Sequence, residues 1–471
     1  MKNKTKKYKS FIEAFSVIKV VFLLSILSLN VACDDFVQVE VPTNQLSAPL
    51  IFENNDTATA ALVAIYAKIR DNGMLAGNPT GFQAKLGEYT DELTFYGTAA
   101  QLDAAFYNNI VLPNNQVVRT WWNSTYNQIY ATNALLEGIE KSKALTLAQK
   151  EQLRGEALFI RAFLHFHLTN LYGTIPYVTT TNYSTNTTIG KIQTEKIYDK
   201  TEEDLLLSEA LLDEEYINPQ RTRPNKATVQ ALLARLYLYN GKWTEAANAA
   251  SAVLNMESLY QDDSNFNTLF LKENKSNIWQ LKPAKEGGNT IEASTFVFLQ
   301  GPPPGVALTT DLVNSFEAGD KRKDNWVKKV TNGTHTWYHA HKYKIYNTAA
   351  GSVQYSIFFR TAELYLIRAE ARARQGELIT ALEDLNKIRN KAGLANTTAT
   401  TAEQIINAVL KERRSELFTE AHRFFDLKRN NLLNEILSIT KSGWDNNDKL
   451  LPLPETELLL NPNLKPQNTG Y

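Results

Sequence analysis

The stretch KATVQALLARLYLYNGKWTEAANAASAVLN, residues 226–255, reads as a helix, a turn at Asn240 and Gly241, and a second helix. A later stretch, FRTAELYLIRAEARARQGELITALEDLNKIRNKA, residues 359–392, reads the same way with its turn at Gly376. One constant offset superposes Ala234 on Ala369, Gly241 on Gly376, Ala246 on Ala381 and Val253 on Ile388. Small residues at these places let two antiparallel helices approach closely, and the glycine opens the turn between them.

A glycine turn followed by a large residue and alanines resembles a tetratricopeptide unit, whose helix pairs bury their faces only against neighbouring pairs. The stretches Asn123 to Leu168 and Thr201 to Leu212 supply such neighbours. From Leu153 the apolar positions Ala157, Ile160, Leu164 and Leu168 recur at helical spacing, with Phe159, Phe163 and Phe166 in a stripe beside them. That helix is apolar on most sides and therefore central. Gly173 and Pro176 stop it. The expected fold is all-α: about four helix pairs in a curved, tetratricopeptide-like scaffold, with an irregular loop-rich region and minor β.

Between residues 259 and 355 the helical periodicity disappears. Short β-prone pieces, Ser276 to Leu281 and Trp337 to Tyr343, alternate with turns such as Gly301-Pro302-Pro303-Pro304-Gly305. Another loop-rich stretch spans residues 71–113. Long loops on a rigid scaffold carry function or are disordered, and the aromatic content here argues against disorder.

Lys plus Arg equals Asp plus Glu at 50 each in 471 residues, so no global field draws nucleic acid or a polyanionic substrate. With 43% hydrophobic residues the chain buries a large core. Lys2, Lys4, Lys6, Lys7 and Lys9 precede an apolar run from Val20 to Leu29, which is too short to span a bilayer and has the pattern of an export signal. Cys33, the only cysteine, follows Ala32 and precedes Asp34 and Asp35. It has no partner for an internal disulfide and reads as a lipid attachment point, with a free thiol as the plainer alternative. Asn30 departs from the aliphatic residue usual before such a cysteine. The expected organisation is a lipoprotein signal peptide at 1–32 and one mature body at 33–471.

Several segments then line up in order: Arg154-Gly155-Glu156-Ala157-Leu158-Phe159-Ile160-Arg161-Ala162-Phe163 with Asn170-Leu171-Tyr172-Gly173, the stretches 226–238 and 360–371, Glu412-Arg413-Arg414-Ser415-Glu416-Leu417 with His422-Arg423-Phe424-Phe425-Asp426-Leu427-Lys428-Arg429, and Leu453-Pro454 with Asn461-Pro462-Asn463-Leu464. Their order and spacing resemble the SusD/RagB family of outer-membrane nutrient-binding lipoproteins of Bacteroidetes, over essentially the whole chain. The resemblance implies a tetratricopeptide-like scaffold decorated by loops that carry the ligand site. It also implies a partner, a SusC-like TonB-dependent β-barrel transporter, over which the lipid-anchored protein acts as a lid at the cell surface. The acidic residues after Cys33 resemble that family's signal for display on the outer leaflet.

Glycans present hydroxyl rims and apolar CH faces, so a non-catalytic glycan site needs aromatic platforms and a few planar hydrogen-bonding groups. Phe82, Tyr96, Phe298 and Trp337, the last beside Tyr338, are the loop aromatics that fit, although each alone is as readily a packing residue. Arg360 stands at the mouth of a helix, where it offers two parallel donors to a hydroxyl pair; an ion pair with Glu363 or Glu412 is the alternative. Trp122 and Trp243 sit at helical spacing beside Tyr126 and Ala246 and read as core.

A glycosidase would need two carboxylates about 5–10 Å apart in a cleft. The adjacent pairs Asp91–Glu92, Glu202–Glu203 and Glu214–Glu215 point apart and read as solvated faces. His165 and His167 face different ways on a helix, whereas His339 and His341, with His335 nearby, share a strand face and are the nearest approach to a metal site. No Walker loop, nucleophile elbow or dinucleotide fingerprint occurs, and neither enzyme, cofactor nor resident metal is expected. The other readings kept open are peptide or other nutrient cargo and a helical groove that grips a protein loop.

Overall fold

The computed structural model describes residues 48–98, 104–347 and 351–471. The leader at 1–32 and Cys33 lie outside the described residues. The chain runs through α1 (Asn55–Asp71), α2 (Phe82–Tyr89), β1 (Leu93–Phe95), α3 (Gln116–Lys141), α4 (Leu147–Tyr172), α5 (Thr194–Leu211), α6 (Lys226–Tyr239) and α7 (Trp243–Leu254). It continues through β2 (Asn277–Leu281), β3 (Val306–Leu308), β4 (Val327–Thr331), β5 (Thr336–Ala340), β6 (Ser356–Arg360), α8 (Thr361–Arg374), α9 (Leu378–Lys391), α10 (Ala402–Leu417) and α11 (Arg423–Arg429), with shorter helical turns between. Ile51–Tyr471 packs as one unit. Among the described residues no helix is long and apolar enough to cross a membrane.

Local chemistry starts these helices. Asn54, Asn115, Thr146, Asn225 and Thr401 cap α1, α3, α4, α6 and α10 by accepting a first-turn backbone N–H, each worth about 1 kcal/mol. Beyond Leu153, α4 is buried along almost its whole length and packs against α3 and α5. It stops at Gly173, whose φ of 73° favours glycine. Gly155 lies where a Cβ would come 2.7 Å from the Leu212 side chain, so its lack of a side chain lets the end of α5 close on α4.

The repeated segments form the helical hairpins α6–α7 and α8–α9, and α7 packs on α8. Gly241 and Gly376 turn them at φ of 73° and 82°. A Cβ on Gly376 would meet open space, so backbone conformation and not room selects glycine there. Ala234, Ala246, Ala369 and Ala381 are all fully buried. The helical scaffold is therefore built as the repeat predicts, with α3–α4, α6–α7 and α8–α9 paired and α5 and α10 filling the flanks.

Ion pairs run through the scaffold. Glu370, with no exposed surface, accepts from Arg374 and Arg429; Asp426 accepts from Arg413 and Arg429; Glu363 accepts from Arg235 at 2.7–2.8 Å. Burial raises the Glu363 and Glu370 carboxyls, and the guanidiniums of Arg235 and Arg429 more than reverse this, leaving both below the ordinary carboxylate value. Removing one partner from such a pair leaves a buried uncompensated charge, a loss of about 3–5 kcal/mol.

The loop-rich region holds the antiparallel ladders β1–β3 and β4–β5 over a second apolar core containing Phe270, Trp326 and Phe418, while the ladder β2–β6 packs Ile278, Trp279, Leu281 and Phe359 into the main core. It is less irregular than its sequence suggests. Residues 71–113 include α2, buried on every side, and 259–355 include helical turns at Ile291–Phe296, Thr310–Ser315 and Lys321–Trp326.

Candidate functional site

Three of the loop aromatics come together. β1 pairs with β3 through Leu93–Leu308, Thr94–Ala307 and Phe95–Val306, and the Tyr96 N–H extends the ladder by donating to the Gly305 carbonyl at 2.7 Å. On β5 the strand period puts Trp337 on the buried side opposite Val330 of β4, where it joins Phe298 and Ala307 in a small apolar cluster. Phe298 also packs its ring 5.1 Å from that of His339.

Trp337 is held on its ring faces. A Cβ at Gly301 would fall 2.1 Å from the indole, so only glycine lets the backbone lie on it, and the His335 ring stacks at 5.8 Å and 28°. The indole is 9% exposed, whereas Tyr96 beside it is 40% exposed. Burial raises the Tyr96 phenol, and the Trp337 side chain, which hydrogen-bonds to it, pulls in the opposite direction. Tyr96 is thus an accessible ring on a fixed base. Leu299, at 71% exposure, and Pro302 and Pro304 add apolar surface around it.

Phe82 and Arg360 lie elsewhere. Phe82 packs its ring 4.9 Å from Trp121 inside the main core and borders a cavity of 50 Å³ with His167, Arg235 and His422. That volume holds ordered water and not a sugar ring. Arg360 is 2% exposed, with Nε and Nη2 donating to Glu420 at 2.9 and 2.8 Å and Nη1 to Glu416 at 2.8 Å. Its donors are committed to carboxylates within the protein, and its partners are not Glu363 or Glu412 but the next acids along α10 and beyond. The expectation that it faces a ligand is corrected accordingly. Trp122 is buried and Trp243 half-buried, both packed against the main core as their spacing predicts.

The pair Asp91 and Glu92 also needs correction, because neither is solvated. Asp91 accepts from Arg423 at 2.8 Å on both oxygens and pairs with Arg414. Burial raises its carboxyl, and these two cations bring it below its usual value. Glu92 is fully enclosed, and burial followed by the charge of Asp91 pushes it up to about 7. Both carboxylates are therefore enclosed, Asp91 at 5% and Glu92 at 1% exposure. Glu203, Glu214 and Glu215 are exposed.

His165 and His167 are buried and each binds a carbonyl of the preceding turn; burial pushes both down to about 3. His339 and His341 lie 5.6 Å apart ring to ring, and burial lowers both. Among the described residues no group of three or more His, Cys, Asp or Glu is placed to hold a metal ion. Sequence reading missed the Gly301 and His335 contacts that fix Trp337; the glycine within the proline run was the available signal.

Two sequence families match the chain. One, described as "Starch-binding associating with outer membrane", matches residues 54–238. Among similar proteins, SusD-like protein P2 of Formosa agariphila is 26% identical, covering 96% of this chain and 99% of its own. The starch-binding protein SusD of Bacteroides thetaiotaomicron is 25% identical over 71% of this chain and 75% of its own. A solved SusD superfamily structure from Bacteroides vulgatus superposes with a TM-score of 0.76 at 22% identity, over 89% of this chain and 100% of that one. A laminarin-binding SusD-like protein superposes with a TM-score of 0.75 at 23% identity, again over 89% and 100%. These likenesses extend the helical scaffold to solved relatives, and since the second family, SusD, matches residues 208–471, more than half of the sequence, the chain belongs to the SusD family.

Proposed function

We propose that the protein captures glycan at the cell surface and passes it uncut to a SusC-like TonB-dependent β-barrel transporter. The observation that carries this reading is the exposed Tyr96 ring, tied by a hydrogen bond to Trp337 of the packed Trp337–Phe298 cluster. A rigid, half-exposed phenol stacks on the CH face of a sugar at little entropic cost, and its hydroxyl, which accepts from Trp337, keeps its own O–H to donate to the rim. Relatives named for starch binding and for laminarin binding supply the ligand class. The family described as associating with the outer membrane supports the location. Cys33 carries the lipid anchor in this reading, and two or three acyl chains on it hold the protein stably where a single chain would not.

Affinity electrophoresis of the mature chain on laminarin, starch and other polysaccharides tests capture, with reducing ends assayed on the same samples. Retardation without new reducing ends is expected; cleavage of a retarding polysaccharide contradicts the reading. Fractionation of cells carrying Cys33→Ser tests the anchor, and the variant is expected to leave the membrane fraction.

A further inference from the structure

On α3, Asn123, Tyr126, Asn127 and Tyr130 recur at helical spacing and form one stripe. The short helix Tyr183–Asn186 and the tail around Glu457 to Leu464 face it, enclosing a groove of 510 Å³. This lies within the range of about 300–1,000 Å³ usual for small-ligand sites. The groove shares no lining residue with the Tyr96–Trp337 cluster.

Its floor is fixed. Trp122 is 3% exposed, its ring centre is 4.8 Å from that of Tyr126, and the Tyr126 hydroxyl donates to the Pro176 carbonyl at 2.9 Å. The walls are open, with Tyr130 and Tyr183 at 51% and 80% exposure. Asn186 donates through Nδ2 to the Thr180 carbonyl at 2.8 Å, but its Oδ1 is buried without a partner.

The lining contains no Lys or Arg, and Glu457 is its one acidic side chain. An anionic ligand would meet the Glu457 carboxylate, and the Lys68 ammonium at the groove's edge is already engaged by Asn127 at 3.4 Å. An apolar protein anchor would cover the amides of Asn123 and Asn127. A neutral sugar satisfies both demands, since its CH faces stack on the tyrosines and its hydroxyls pair with Asn123, Asn127 and Glu457. We propose that this groove on α3 is a second binding site for neutral oligosaccharide, separate from the loop face. The proposal rests on the reading that the cargo is glycan and adds a second subsite to it.

Titration calorimetry of the full mature chain with laminarin and malto-oligosaccharides reads stoichiometry, and hydrogen exchange reads location. Two sites are expected for at least one probe, with protection in residues 180–190 and 455–464. Tyr183→Ala combined with Asn186→Ala should weaken the groove site at least tenfold and leave the Tyr96 site intact. Tyr183 is exposed and Asn186 half-buried, and an unchanged thermal midpoint shows that the variant folds. A single site, lost in Tyr96→Ala and untouched by the double variant, overturns the groove and leaves the proposed function standing. No binding of any neutral probe overturns both, and groove protection by a sulfated glycan or a peptide alone overturns the neutral-sugar assignment.

Discussion

Glu370 in the scaffold is sealed from solvent with two arginines on its oxygens, while Tyr96 on the loop face is 40% exposed and is tied to the packed Trp337 by a side-chain hydrogen bond. The scaffold is held by capped helices, small-residue contacts and buried ion pairs; the loop face is held by short ladders and by close approaches such as Gly301 on Trp337. The segments that carry the family resemblance, Glu412 to Leu417 and His422 to Arg429, lie almost wholly in the first region. Family membership is therefore written in the frame, whereas ligand choice is left to residues that the frame does not constrain.

The largest way to break this comparison is Glu370→Ala. It leaves Asp426 alone to accept from Arg429 and only the Asn430 amide to accept from Arg374, and should cost about 3–5 kcal/mol in urea unfolding; a loss below about 1 kcal/mol would show that the network is not structural. Next come opposing pH responses. Burial holds His165 and His167 near 3 and His422 near 4, so their contribution is present above the ordinary value of 6.5 and is lost as pH falls toward those values. In unfolding curves each of the three should contribute a loss of about 2–3 kcal/mol between pH 6.5 and 4. Glu92, raised to about 7, acts in the other direction: its contribution is present below 4.5 and is lost as pH rises through 7. Glu92→Gln should stabilise the protein at pH 8 by about 1–2 kcal/mol and leave it unchanged at pH 4.

Two glycine substitutions sharpen the contrast further. Gly301→Ala drives a Cβ into the Trp337 ring, with a cost of about 1–3 kcal/mol and weaker glycan retention. Gly376→Ala strains only a positive-φ turn in open space, costs about 1 kcal/mol, and should leave binding as it was.

The helices were legible because apolar period, capping residues and turn glycines all agree over 226–255 and 359–392. α2 was hidden because Lys85 and Glu88 look like surface residues and instead form a buried pair at 2.7 Å. Asp91 and Glu92 were misread for a similar reason, since the arginines that meet Asp91 come from far along the chain. Arg360 was placed correctly at a helix mouth, but the acids that claim it sit beyond the ones that sequence proximity suggested. Tyr96, Phe298 and Trp337 were visible as loop aromatics, yet their convergence depends on ladder pairing that no local pattern encodes. The α3 stripe from Asn123 to Tyr130 was not singled out in the sequence, because its facing wall is assembled from two distant segments.

The most direct measurement is calorimetry of Tyr96→Ala against the unaltered mature chain with a glycan that retards it, alongside urea unfolding of both. Affinity at the loop-face site should fall at least tenfold, about 1.4 kcal/mol, with stability changed by less than about 0.5 kcal/mol. Unchanged affinity in a folded Tyr96→Ala protein would contradict the assignment of capture to the loop face.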